Sequence, residues 1–271
     1  SDVCSSDLRN HFTTSYTLYK GEVWICGGKI DGTSARGSVR VDIYNVSVNT
    51  WRRGPDMPEK HWGGPAVIVR GKLHVLTGAI DRTNSTNHHF VLDLENESAG
   101  WSTLKAVPKA RVHAAAVPLN GKIYVIGGEY HHSHDGDTKT MQVYDPITNT
   151  WDTSKAQIPM ARSHHEWATF VHNGKIISVS GVDSSKSPRG QNTVYEYDPE
   201  TNKWSSLPNL ADKLCSPGAK IIDNILYVYG GGVNDWFGGD MVTTTSYTFP
   251  RTQPTWASAK DVSGGSVRGV S

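Results

Sequence analysis

Chemistry in this chain is concentrated in a few short stretches. Arg111 and His113 lie in one; MARSHHEW at 160–167 supplies Arg162, His164, His165 and Glu166; His61 and Trp62 stand together in a third. A fourth, EYHHSHDGDTKT at 129–140, carries His131, His132, His134 and Asp135, and Trp236 adds an indole in GVNDWFGGDMV at 232–242. Guanidinium groups offer paired planar donors and an indole offers a stacking face, so the first three stretches suit an anionic or polyhydroxylated ligand. If the chain is an enzyme, Glu166 and His113 are its acid–base pair. The histidine-rich loop has ligand types that suit zinc or copper. Residues so close together on one loop seldom complete a coordination sphere, so no metal and no cofactor is assigned. HDGD also lacks the alternating ligands and closing glutamate of a calcium loop.

What must position these residues is a repeated strand unit. MQVYDPITNTW at 141–151 and TVYEYDPETNKW at 193–204 say nearly the same thing, with a tryptophan seven residues after a tyrosine in each, Tyr144 to Trp151 and Tyr197 to Trp204. This pattern predicts a hairpin: Pro146 and Pro199 fix φ at the turn, and Asn149 and Asn202 tolerate the left-handed conformation that returns the chain to a strand. DIYNVSVNTW at 42–51 keeps the spacing, and VLDLENESAGW and SYTFPRTQPTW are looser copies. Trp51, Trp101, Trp151, Trp204 and Trp256 are therefore 50, 50, 53 and 52 residues apart. Apolar strands ending at Gly28, Gly78, Gly128, Gly181 and Gly231 keep the same step. Two markers at one period identify a repeat architecture.

Apolar strand, Gly-Gly, variable loop, Tyr-Asp-Pro strand and Trp strand in about 50 residues resemble the kelch repeat, over residues 11–258. The resemblance implies an all-β fold, a kelch-type β-propeller, with five four-stranded blades visible. Kelch propellers usually close with six or seven blades, so the chain is expected to be a fragment of such a ring. Residues 9–258 are assigned to the five repeats and 259–271 to the start of a further blade. SDVCSSDL at 1–8 reads like a translated sequencing adapter and is set aside as a non-native leader, Cys4 with it.

Strands are expected near 11–19, 22–28, 39–44 and 50–53 in blade one, 62–70, 72–78, 88–94 and 101–104 in blade two, and 111–119, 121–128, 139–145 and 150–153 in blade three. Blade four takes 166–173, 175–181, 192–198 and 203–206, and blade five 216–223, 225–230, 241–248 and 255–258. Small residues such as Gly63, Gly64, Ala114, Ala115 and Gly218 suit first strands crowded at an axis. Because strands alternate in direction, the loops between second and third strands share one face with the connections between blades. Arg111, His113, Arg162, His164, His165, Glu166, His61 and Trp62 then ring one channel entrance, with His113 and Glu166 matched by counting back from the glycine that opens the next strand. The other reading is that these Arg and His side chains cap strand ends and bond neighbouring loops.

Lys and Arg number 27 against 26 Asp and Glu, so no global field draws nucleic acid or an anionic membrane, and no apolar run is long enough for a spanning helix. Cys26 stands where other repeats carry Leu76, Ile126, Val179 and Tyr229 and reads as a core residue. Galactose oxidase is a kelch propeller with a copper site containing a tyrosine cross-linked to cysteine; no such pairing is indicated here. The expected function is a binding domain that holds a carbohydrate or protein ligand on the loop face around the channel. A sugar-acting enzyme and an intracellular adaptor are the alternatives. The texture of the repeats resembles bacterial extracellular kelch proteins, implying an extracellular or periplasmic location.

Overall fold

The computed structural model describes residues 15–30, 36–82, 84–130 and 136–233, together with strands at Thr245–Thr248 and Ser258–Ala259. Five antiparallel sheets of four strands follow one another along it. Blade one is Ser15–Tyr19, Glu22–Cys26, Val41–Asn45 and Thr50–Arg53; blade two is Ala66–Val69, Lys72–Leu76, His89–Asp93 and Trp101–Thr103. Blade three is Ala115–Leu119, Lys122–Ile126, Met141–Asp145 and Thr150–Asp152; blade four is Thr169–His172, Lys175–Val179, Val194–Asp198 and Lys203–Leu207. Blade five is Gly218–Ile222, Ile225–Tyr229, Thr245–Thr248 and Ser258–Ala259. First strands of successive blades lie against one another and so surround a common axis. Across it, Tyr16 of blade one stacks on Trp167 of blade four, ring centroids 5.8 Å apart.

Burial explains the strand composition. Second and third strands such as KIYVI and MQVYD are buried along nearly their whole length, because a blade is covered on both faces by its neighbours. Fourth strands such as TWRR and TWD face outward and are polar. Each apolar cluster straddles a seam. Trp24, Cys26 and Ile43 of blade one meet Leu73, Val75 and Leu92 of blade two, and Val117, Ile126 and Val143 of blade three meet Ile176 and Tyr195 of blade four. Cys26 is fully buried, as its repeat position implied, and burial pushes its thiol up to about 12.

The repeated hairpins form with Tyr144 opposite Trp151 and Tyr197 opposite Trp204. Asn49, Asn149 and Asn202 take φ of 55°, 51° and 53°, and each side-chain oxygen accepts the hydroxyl of its hairpin's tyrosine at 2.8–2.9 Å. The tryptophans do more than pack. Trp101, Trp151 and Trp204 donate their indole N–H to Pro55, Lys105 and Ala156, carbonyls in the chain leaving the preceding blade, at 2.8, 2.9 and 3.0 Å. The first strands of blades two, three and four start later than expected, at Ala66, Ala115 and Thr169, and in blade four Glu166–Ala168 forms a 3₁₀ turn that absorbs the extra length of its connection. Trp256 and residues 241–244 lie outside the described residues.

At the inner rim the seam is closed by backbone. The N–H groups of Gly28, Gly78 and Gly128, which follow second strands, donate to the carbonyls of His61, Arg111 and Arg162 in the next connection, at 2.8–2.9 Å. Gly78 shows why the position needs glycine: its φ is +92°, and a Cβ there would stand 2.7 Å from the Trp62 carbonyl oxygen. Gly78→Ala is therefore expected to lose the roughly 1–2 kcal/mol of a left-handed alanine plus the cost of displacing the backbone at Trp62 and Gly64. Gly174→Ala, with φ of +72° and nothing within 4 Å of its would-be Cβ, should lose only the first part. Urea midpoints of the two variants test this, and equal losses would refute the close-approach argument.

Blades one and two also bury a set of neutral histidines. His61 Nδ1 lies 2.8 Å from His88 Nε2 and its Nε2 lies 2.9 Å from Ser15 Oγ, while His74 Nδ1 lies 2.9 Å from His89 Nε2. Burial lowers His61 and His74 to about 4, His89 to about 3 and His88 to about 2, with the neighbouring imidazole adding to the effect on the last two. The unfolded chain takes up these protons near pH 6.5, whereas the folded chain refuses them. Their stabilisation is complete above that pH and is lost as pH falls, by up to about 1.4 kcal/mol per group per pH unit. Melting temperature should drop steeply from pH 7 to pH 5; a flat profile would show that these imidazoles are protonated in the fold.

Candidate functional site

The loops between second and third strands do meet the blade connections on one face. Backbone bridges Trp62–Ala79, Val112–Glu129 and Ser163–Val182 tie the base of a loop to the connection that enters its own blade, and Ser38–His61 and Gln191–Leu214 tie the far side of a loop to the connection that follows. At the innermost turn the chain hands on a hydrogen bond from blade to blade: His113 N–H donates to the Gly63 carbonyl and His164 N–H to the His113 carbonyl. Gly63, His113, His164 and Ser216 occupy this turn in blades two to five, with φ of 64°, 54°, 53° and 51°.

This register corrects the count-back that matched His113 with Glu166. His164 stands at the place of His113, and Glu166 belongs to the 3₁₀ turn after it. Counting failed because the added residues fall after the rim turn, where they leave the inter-blade bonds undisturbed.

Arg111 and Arg162 match, as their motif implied, but both are fully buried inside the blades. Arg111 donates to the Gly127 carbonyl at 2.8 Å and to Gln142 Oε1 at 2.6 Å. Arg162 donates to the Ser180 carbonyl at 2.9 Å and Thr193 Oγ1 at 2.6 Å, with Tyr195 beneath it. Burial lowers both guanidiniums to about 10, which leaves them charged at neutral pH. Each bolts the end of the second strand to the third. His61 and His165 are equally enclosed, His165 between Ser178, Thr169 and the Ile126 carbonyl. Of the two sequence readings, bonding to neighbouring loops describes these four.

The remaining groups converge. His113 and His164 stack with centroids 3.7 Å apart and 21° between planes. Glu166 Oε1 lies 3.0 Å from His113 Nδ1, and Ser163 Oγ lies 2.8 Å from His164 Nδ1. Trp62 meets His113 edge-on at 5.9 Å and carries the Lys29 ammonium 4.4 Å from its ring centroid. Burial, then Arg82, lowers the Lys29 pKa, while Glu129 opposes the shift. Lys29 and Glu129 were not singled out from the sequence, although each opens one of the candidate loops; the Lys29 contact with Trp62 and the Glu129–Val112 bridge are what reveal them. His131, His132, His134, Asp135 and Trp236 lie outside the described residues. On the turns of the Tyr-Asp-Pro hairpins, a groove of about 300 Å³ is lined by Lys122, Tyr124, Asp145, Trp151, Lys155 and Glu200. Its lysines are paired with Asp145 and Asp152.

Comparisons with known proteins agree on the architecture. Residues 13–231 match the family model described as the KLHDC2/KLHL20/DRC7 Kelch-repeats domain. Kelch-like protein 23 of Mus musculus is 25% identical over 205 residues, covering 76% of this chain and 34% of that protein. Kelch repeat and BTB domain-containing protein 1 of camelpox virus is 28% identical over 267 residues, 94% of this chain and 43% of that protein. The chain thus spans less than half the length of these relatives. A solved structure of YjhT superposes with a TM-score of 0.73 at 14% identity, covering 92% of this chain and 84% of that one, which shows the shared fold.

The buried arginines generate a test. Arg111→Ala strands the Gly127 carbonyl and Gln142, each costing about 1–3 kcal/mol when left buried and unbonded. The variant should therefore melt well below the parent, whereas Lys29→Ala at the half-buried rim should melt within about 1 kcal/mol of it. Parent-like stability of Arg111→Ala would show that its guanidinium is not a structural bolt.

Proposed function

The chain belongs to the kelch-repeat family, and from that premise we propose that it is a binding propeller whose loop face holds a protein ligand. The observation that carries this reading is the tethering of the loops to the blade connections, through Trp62–Ala79, Val112–Glu129 and Ser163–Val182 within a blade and Ser38–His61 and Gln191–Leu214 to the next. A rigid rim that posts unequal polar loops around one opening is suited to recognition by loop content. The loops carry both signs of charge, Arg82 and Asp81 on one and Asp183, Lys186 and Arg189 on another, which suits a peptide with mixed charges better than a uniformly anionic ligand. Relatives named kelch-like or kelch-and-BTB support a protein ligand over a carbohydrate.

Panning a phage-displayed peptide library on the 271-residue chain tests this, beside a glycan array. An enriched peptide motif that binds the parent and loses at least about tenfold in affinity, roughly 1.4 kcal/mol, on Arg82→Glu with Lys186→Glu is the expected result. Saturable glycan binding with no enriched peptide, or peptide binding indifferent to both reversals, would overturn it.

A second reading rests on the His113–Glu166 pair, in which a carboxylate orients an imidazole as in acid–base chemistry on a sugar. It stands second because the His113 ring is only 2% exposed. Catalysed exchange of sugar anomers that disappears in Glu166→Gln would favour it.

A further inference from the structure

Blades three and four put imidazoles at a rim turn where blade two uses glycine. The backbone there is left-handed, with φ of 54° at His113 and 53° at His164, a conformation that glycine adopts without the steric cost borne by other residues. Beside them Glu129 holds the bridge position that is Ala79 in blade two and Val182 in blade four. The repeat therefore needs no imidazole and no carboxylate at these places, yet three such groups meet there.

We propose that His113, His164 and Glu129 bind one divalent transition-metal ion, with the ligand preference of zinc. One ligand atom from each lies within 4.8 Å of the other two, and all three residues are buried. Ligand atoms on tetrahedral zinc stand about 3.3 Å apart, so closing on an ion contracts the widest pair by at most about 1.5 Å. The outer partners select the donor nitrogens. His113 Nδ1 donates to the Glu166 carboxylate, which puts the lone pair on Nε2, and Ser163 Oγ holds His164 Nδ1 and points its Nε2 to the same task. Two neutral imidazoles and a carboxylate form a set that zinc takes, with a fourth position for water or a ligand atom. This site shares no residue with the histidine-rich loop at 131–135.

An ion bound by both rings lies near both ring planes, so loading must open the His113–His164 stack. That change is a signature that no surface site would share. After chelator treatment the 271-residue chain is titrated with cobalt(II). One equivalent should bind with the visible absorption of four-coordinate cobalt, and zinc should displace it. Loading with zinc should move the ring-proton NMR signals of His113 and His164 as the stack opens. Glu129→Gln and His164→Asn should abolish the absorption, and Glu166→Gln should weaken binding about 10- to 100-fold through its loss of hold on His113. The chain with His131, His132 and His134 all changed to alanine should bind as the parent does. The site is refuted if the parent shows no cobalt absorption, if the two ring signals stay unmoved on loading, or if folded Glu129→Gln binds cobalt unchanged. The parent NMR reading decides alone should a variant not fold. Peptide selection and metal loading are separate readouts, so either proposal can fail without the other.

Discussion

The contact on which the molecule depends is the approach of each second-strand end to the incoming connection of the next blade. An amide of Gly28, Gly78 or Gly128 donates to a carbonyl one blade on, and a Cβ on Gly27 or Gly127 would collide with that carbonyl oxygen of His61 or Arg162. A blade of four strands cannot cover both its faces by itself, and neighbours bury them only if the rim is registered first. Burial of the seam clusters, the indole bonds of Trp101, Trp151 and Trp204 back to the preceding blade, and the direction of the outer loops all follow from that registration.

The same constraint shapes the candidate site. The rim turn is left-handed in each connection from blade two to blade five, and the residue that stands there in each blade decides the chemistry of the rim. Glycine and serine leave blades two and five quiet, while His113 and His164 bring two rings face to face. The arginines two positions earlier serve the opposite purpose. They are drawn inward, where carbonyl, amide and hydroxyl oxygens of the same blade accept from their terminal N–H groups, and so hold the loop bases rigid. Charge in this protein is thus divided between bolts and rim, and residue type does not distinguish the two.

Much of the fold was legible in the residue order. Tyrosine and tryptophan seven residues apart specify a tight hairpin whatever surrounds them, since turn length and strand pairing are local. Cys26 was readable as core because its repeat position is apolar elsewhere, and Asn149 and Asn202 as left-handed turn residues because few other side chains accept that backbone. The site was legible only in outline. The participating connections and the shared face followed from strand alternation, and His113, His164, Glu166 and Trp62 do meet there. Glu129 and Lys29 escaped notice because each follows directly on a strand and looks like its polar end.

Spacing and composition by themselves therefore determined the repeat, the hairpins, the blade order and the face that carries the loops, all consequences of short-range geometry repeated at a fixed period. Only the tertiary structure decided which polar side chains turn into a blade and which meet one another at the rim. That choice depends on where two extra residues in the blade-four connection are absorbed, and on which oxygens of a neighbouring strand lie within hydrogen-bonding reach. A guanidinium or an imidazole is chemically equal to either role, so its surroundings, fixed by contacts between residues far apart in the chain, assign it.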